Sequence, residues 1–201
     1  MDATSVIIIL LFVVSIVGSS GNKGYSPPTA SAPETISTAI YSSVEASVPA
    51  FKFDSNDETS PAQAIKRFIR QYRSEELADS IARSIVRHSQ ALDLNPKLIA
   101  ALIARESKFN PRALSSSGAA GLGQLLPSTA KNLGVEEPYD IDQNAKGTAT
   151  YFKYLLDRFK GRVPFALAAY LEGPNAVDGQ AGFSLHTKSY VEDILNIYQR
   201  I

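Results

Sequence analysis

From Ser60 to Ile201 the apolar residues recur at helical spacing, and no alternating run long enough for a strand interrupts them. Ser60-Pro61 is a cap-and-proline start for a helix whose stripe is Ala64, Ile65, Phe68, Ile69 and Tyr72. Ser74 opens the next, with Leu77, Ala78, Ile81, Ile85, Val86, Leu92 and Leu94 leading to Asn95. Asn95 caps a third helix with Pro96 at its first position. Pro127 to Gly134 predicts a short helix closed by glycine. Asp142 is placed to cap a long helix to about Lys160, with Gly161 as its stop and Ala145, Ala149, Phe152, Leu155, Leu156 and Phe159 as its stripe. Pro164 opens Phe165 to Tyr170, which Gly173-Pro174 ends. Residues 179–183 read as loop, and Thr187 is placed to cap a last helix bearing Tyr190, Val191, Ile194, Leu195, Ile197 and Tyr198. About 140 residues with this pattern predict one all-α core.

One polar residue breaks the pattern. In the third helix Leu98, Ile99, Leu102, Ile103 and Glu106 share a face, so a carboxyl stacks over aliphatic side chains. Desolvation disfavours the charged form, which raises the pKa and suits a glutamate to general acid work near neutral pH. A second reading stands beside it. Buried charges are rare and helix ends fray, so Glu106 could instead turn to water or pair with Arg105 or Lys108. After it come Asn110-Pro111, the serines at 115, 116 and 117, and a run of small residues, Gly118-Ala-Ala-Gly-Leu-Gly-Gln124.

Composition narrows the chemistry. The chain has no Cys, so disulfides, cysteine metal sites and lipoprotein acylation are ruled out. His88 and His186 are far apart without ligand spacing, so neither a metal nor another cofactor is expected. Lys23 and Lys52 stand against six acids in residues 1–60, and the neutral total leaves the rest of the chain mildly basic. That suits an anionic polymer, but no basic run with interleaved aromatics points to nucleic acid.

Residues 1–20 carry the apolar run Val6 to Val17 followed by Gly-Ser-Ser-Gly. It is short for a membrane span, which needs about 20 residues, and fits the apolar core of a signal peptide. Asp2 and the lack of an early Lys or Arg depart from that pattern, which leaves an uncleaved membrane anchor as the alternative. Either way export to the periplasm or cell envelope is expected. Residues 21–60, rich in Ser, Thr, Pro and Ala, read as a flexible linker, and 61–201 as the folded domain.

Three motifs in order resemble the catalytic domain of lytic transglycosylases of the soluble-lytic-transglycosylase (SLT) type. They are Glu106-Ser107 with Asn110-Pro111; Gly118-Ala-Ala-Gly-Leu-Gly-Gln-Leu-Leu-Pro-Ser-Thr-Ala130, similar to GAxGLMQxxPxTA; and Ala168-Ala-Tyr170 with Gly173-Pro174, similar to AAYNAGP. Asp140, Asn144 and Gly147 resemble the family's DPxxN and its following glycine, and Ser189-Tyr190-Val191 its last-helix NYV. The match runs from about Leu77 to Ile201. It implies a lysozyme-like helical domain of the goose type with an active-site cleft, and Glu106 as the catalytic acid.

The resemblance also implies a substrate, the peptidoglycan glycan strand, cut between N-acetylmuramic acid and N-acetylglucosamine with formation of 1,6-anhydro ends. It implies sugar contacts from Ser115 and Gln124, and a tyrosine near the acid at Tyr170. Gly121 and Gly123 would let backbone approach the sugar. Two departures stand out. Gly123 replaces a usual Met, which predicts a wider cleft, and Leu171-Glu172 replaces Asn-Ala, which introduces a carboxylate that faces either the cleft or solvent. A lysozyme-like hydrolase and a non-catalytic peptidoglycan-binding scaffold are the competing readings. The small size resembles enzymes that serve envelope-spanning secretion, conjugation or flagellar assemblies.

Overall fold

The computed structural model describes residues 60–178 and 182–201. The export segment over 1–20 and, apart from Ser60, the linker over 21–60 lie outside the described residues, as does most of the loop expected over 179–183. Eight helices follow in the described chain: α1 Pro61–Ile69, α2 Glu75–Gln90, α3 Pro96–Ser107, α4 Pro127–Asn132, α5 Ile141–Arg158, α6 Val163–Glu172, α7 Pro174–Val177 and α8 Leu185–Tyr198. The only β pairing among the described residues is two isolated bridges, Leu114 with Ala120 and Ala120 with Leu125. The fold is all-α, as the spacing predicts.

Helix α3 is the axis of the molecule. Leu98 through Ala104 are all buried, because α1, α2 and α8 pack around it. A helix apolar on every side has no solvent face, which is why its sequence is continuous Leu, Ile and Ala rather than a stripe. Its start is fixed by Asn95, whose Oδ1 accepts from the Lys97 backbone N–H at 3.0 Å. Its end is abrupt. Lys108 and Phe109 both take left-handed backbone, at φ 51° and 59°, and turn the chain out directly after Glu106. Phe109 anchors that turn: its ring is buried against Phe68 and Tyr72, and its carbonyl accepts from Arg73 Nε at 2.9 Å.

Two caps differ from the expectation. Asp140, not Asp142, caps α5, accepting from the Gln143 backbone N–H at 2.8 Å. Asp142 is drawn away by Ser84, Arg87 and His88 of α2. At the other end Ser184, not Thr187, caps α8 at 3.1 Å, and Thr187 turns inward and is fully buried. Both displaced residues bond instead to side chains of another helix. The long helix also stops at Arg158, short of Lys160, and Gly161 at φ 79° closes it by donating to the Leu156 carbonyl at 2.8 Å.

Candidate active site

Glu106 follows directly on the buried run Leu98 to Ala104 and exposed Arg105, at the end of α3. The residue is half-buried. Tyr190 of α8, itself buried, donates its hydroxyl to Glu106 Oε1. Burial pushes the Glu106 carboxyl up to about 7, against the lowering pull of the Tyr190 hydroxyl and of the Arg105 charge. The same burial, with the Glu106 charge beside it, pushes the Tyr190 phenol well above its ordinary value, so it stays a donor. Of the two sequence readings of Glu106, the structure supports the inward one. Arg105 is not its ion-pair partner: its Nε reaches Asp193 Oδ2 at 3.1 Å, and its guanidinium lies 5.2 Å from the Tyr190 ring centre.

The small-residue segment is held by α5. Asn144, fully buried, accepts from the Gly123 backbone N–H at 2.8 Å. It donates to the carbonyls of Ala120 at 3.1 Å and Pro138 at 2.8 Å. One amide thus bonds three backbone groups, and the Ala120 carbonyl also accepts from the Leu125 backbone N–H at 3.1 Å. Gly121, at φ 77°, sits where a Cβ would come within 2.1 Å of the Pro138 carbonyl oxygen and 2.2 Å of the Asn144 amide. At Gly123 a Cβ would stand 1.9 Å from Thr148 Oγ1. Both glycines therefore give close approach to α5. The wider cleft expected from the missing side chain at 123 does not follow, because Thr148 fills that volume.

Tyr170 lies near the acid, whose charge helps raise its phenol well above the ordinary value after burial has done most of the work. Its hydroxyl, however, donates to the Gly123 carbonyl at 2.7 Å, so it pins the glycine segment to α6. The carboxyl's own partner comes instead from the last helix. Gln124, at φ 50°, donates its amide to the carbonyls of Ala113 at 3.2 Å and Gly121 at 3.0 Å. Ser115 closes its own turn: its hydroxyl accepts from the Ala119 backbone N–H at 3.0 Å and meets Ser117 Oγ at 2.8 Å. Glu172 is half-buried, and its Oε1 accepts from the hydroxyl of Thr187.

A cavity of about 630 Å³ lies elsewhere, lined by Ser80, Arg83, Ser84, Arg87, Tyr139 and Asp142 among others. Partial burial works to raise the Asp142 carboxyl, but Ser84, His88 and Arg87 overcome it and hold it at about 2. Arg83 pairs with Asp79. These charges are spent on each other and on joining α2 to α5. Among the described residues no group of three His, Asp or Glu side chains could hold a metal ion. No helix among them is long and apolar enough to cross a membrane.

The sequence singled out Glu106, Gln124, Tyr170, Ser115 and the glycines. It placed Tyr190 and Asn144 in motifs without giving them their partners, and it did not single out Thr148 as a wall. The signal for Asn144 was present: a polar residue on the buried face of α5, at the spacing of Ala145 and Ala149.

Residues 83–188 match the family model described as Transglycosylase SLT domain. A transglycosylase of Enterobacteria phage PRD1 is 46% identical over 102 residues, 51% of this chain and 37% of that protein. Membrane-bound lytic murein transglycosylase F of Idiomarina loihiensis is 39% identical over 89 residues, 41% of this chain and 19% of the relative. The chain thus spans well under half the length of these relatives. Among solved structures, the 70 kDa soluble lytic transglycosylase of Escherichia coli superposes with a TM-score of 0.55 at 20% identity, over 72% of this chain and 31% of that one. An inactive mutant of lytic transglycosylase Slt from Pseudomonas aeruginosa gives 0.52 at 24%, over 69% and 27%. At such identity the two structures speak for the shared lysozyme-like helical fold.

Proposed function

Because the chain belongs to the transglycosylase SLT domain family, we propose that it is a lytic transglycosylase acting on the glycan strands of peptidoglycan, with Glu106 as its single general acid and base. The observation that carries this reading is the Glu106 carboxyl at the end of a buried helix, held up to about 7 and touched by the Tyr190 hydroxyl. An acid poised there is substantially protonated at neutral pH and can still ionise within one catalytic cycle.

The chemistry follows from that one group. Neutral Glu106 gives its proton to the oxygen between N-acetylmuramic acid and N-acetylglucosamine as the bond to C1 breaks. The substrate's N-acetyl oxygen stabilises the cationic C1. The Glu106 carboxylate formed in that step is stabilised by the Tyr190 hydroxyl and the Arg105 charge. It then takes the proton of the C6 hydroxyl as that oxygen bonds to C1. The product is a 1,6-anhydro-muramoyl end, the acid is returned protonated, and no water is consumed. Most glycosidases need two carboxylates. Here the other candidate, Glu172, has an oxygen engaged by Thr187, which favours the single-acid route.

Ser115, Gln124 and Tyr170 line the sugar site in this reading, and Gly121 and Gly123, packed on α5, set the backbone behind it. The internal bonds of Gln124, Tyr170 and Ser115 make that wall a preformed surface. The site of action would be the cell envelope, reached by export through residues 1–20, and service to an envelope-spanning assembly belongs to the same proposal. Mass spectrometry of products released from purified peptidoglycan tests the chemistry. Wild type is expected to give anhydro ends, lighter than reducing ends by one water, and Glu106→Gln none. Reducing ends would indicate lysozyme-like hydrolysis, and no release by wild type would indicate a binding scaffold.

A further inference from the structure

Helix α8 carries Tyr190, so whatever fixes α8 fixes the hydroxyl on Glu106. The middle of the helix is tied to α3 through Arg105, which reaches Asp193 and lies over the Tyr190 ring. The far end is tied by Asn95 Nδ2, which donates to the Tyr198 hydroxyl at 2.9 Å. The near end arrives from a chain segment that has left α6 at Gly173, and it is joined back to α6 by the Phe183 ring, packed edge-on against Phe165 at 5.1 Å, and by a polar contact in which Thr187 Oγ1 donates to Glu172 Oε1. Glu172 is the last residue of α6, and Thr187 lies in the first turn of α8.

We propose that Glu172 is a positioning residue that clamps the first turn of α8 through Thr187 and so holds the Tyr190 hydroxyl on Glu106. Three features support the clamp. Thr187 is fully buried, so its hydroxyl has no water to turn to and needs a protein partner. It precedes Tyr190 by three residues, which puts both on one face of α8, one turn apart. The carboxylate also lies at the N-terminal end of a 14-residue helix, where the exposed backbone N–H groups favour negative charge. The Ser184 hydroxyl, 2.8 Å from Thr187 Oγ1, accepts the Thr187 backbone N–H and completes the cap. Two residues earlier on α6, Tyr170 fastens the glycine segment. The last turn of α6 thus sets both walls around the acid, one through Tyr170 and the other through Glu172.

The inference rests on the proposed role of Glu106, and its test separates the two. Glu172→Ala and Thr187→Val are compared with wild type in two measurements. One is the titration of the Glu106 carboxyl by carbon-13 NMR, which needs no activity. The other is kcat and KM on purified glycan strands. With the clamp gone, the Tyr190 hydroxyl no longer stabilises the carboxylate, so Glu106 titrates at a higher pH, in the direction that Tyr190→Phe sets. The charged and titratable groups acting on Glu106 in this comparison are Tyr190 and Arg105, with Tyr170 close by. The kcat is expected to fall about tenfold, with KM changed less than about twofold. Glu172→Gln keeps a carbonyl to accept from Thr187 and Thr187→Ser keeps the hydroxyl, so both are expected to stay near wild type. The double variant is expected to lose no more than either single one. A Glu106 titration unchanged in folded Glu172→Ala and Thr187→Val overturns the clamp, as does a Glu172→Gln enzyme as damaged as Glu172→Ala. If Glu172→Ala does not fold, the comparison of Thr187→Ser with Thr187→Val decides, and if Thr187→Val does not fold, that of Glu172→Gln with Glu172→Ala decides. A wild type without lytic activity overturns the function, and the NMR titration still decides the clamp.

Discussion

Tyr190 donates its hydroxyl to Oε1 of Glu106 across 84 residues of chain, joining the end of the central helix to the middle of the last. The bond acts on the charged form of the acid. It opposes the desolvation that raises the carboxyl, and leaves it at about 7 instead of higher.

Removing that hydroxyl has a signed consequence. In Tyr190→Phe the carboxylate loses its donor, so Glu106 holds its proton to higher pH and the basic limb of the activity profile moves up. In the proposed reaction the carboxylate formed midway is also less stabilised, so kcat is expected to fall, by about tenfold to a hundredfold. A pH–rate profile on purified glycan strands checks both. A basic limb that moves down would show that the hydroxyl holds the neutral acid instead.

Glu106 also links stability to pH. Its folded value, about 7, is above the ordinary 4.5, so the folded state binds the proton more tightly than the unfolded chain. The stability this contributes is complete below about 4.5 and is lost as pH rises through about 7. Glu106→Gln cannot ionise and escapes the loss. Its Tm is expected to gain on wild type between pH 4 and pH 8, by an amount equivalent to no more than about 3 kcal/mol. Thermal melts of both proteins across that range decide it, and a difference independent of pH would contradict the raised carboxyl.

The glycine segment offers a test of packing. A methyl at position 123 would stand 1.9 Å from Thr148 Oγ1 and 2.9 Å from its Cβ and Cγ2. Gly123→Ala is therefore expected to cost about 1–3 kcal/mol. Thr148→Ala vacates the same volume, and in the double variant much of the cost should return, a coupling of at least about 0.5 kcal/mol. Denaturant melts of the four proteins measure it. Strict additivity would mean that Gly123 does not owe its place to Thr148.

Much of this protein is written locally in the chain. Ser60, Ser74 and Asn95 cap the helices they were expected to cap, since a cap needs only a side chain two or three residues from a free backbone N–H. Periodicity set the all-α class and put Glu106 at the end of the apolar run of α3 with two readings open, while its role as an acid came from the motif resemblance. Tertiary structure decided the partners. Asp142 and Thr187 had local chemistry fit for capping, but each found a partner on another helix, and Asp140 and Ser184 took the caps. Tyr170 and Tyr190 are both tyrosines on apolar helix faces, and the packing of α6 and α8 alone gave one hydroxyl to Gly123 and the other to Glu106. The volume left at Gly123 could not be read from the glycine, because Thr148 fills it from another helix. A residue's spacing along the chain fixes its face and its nearest backbone groups, while the group across the interface is fixed only when the helices meet.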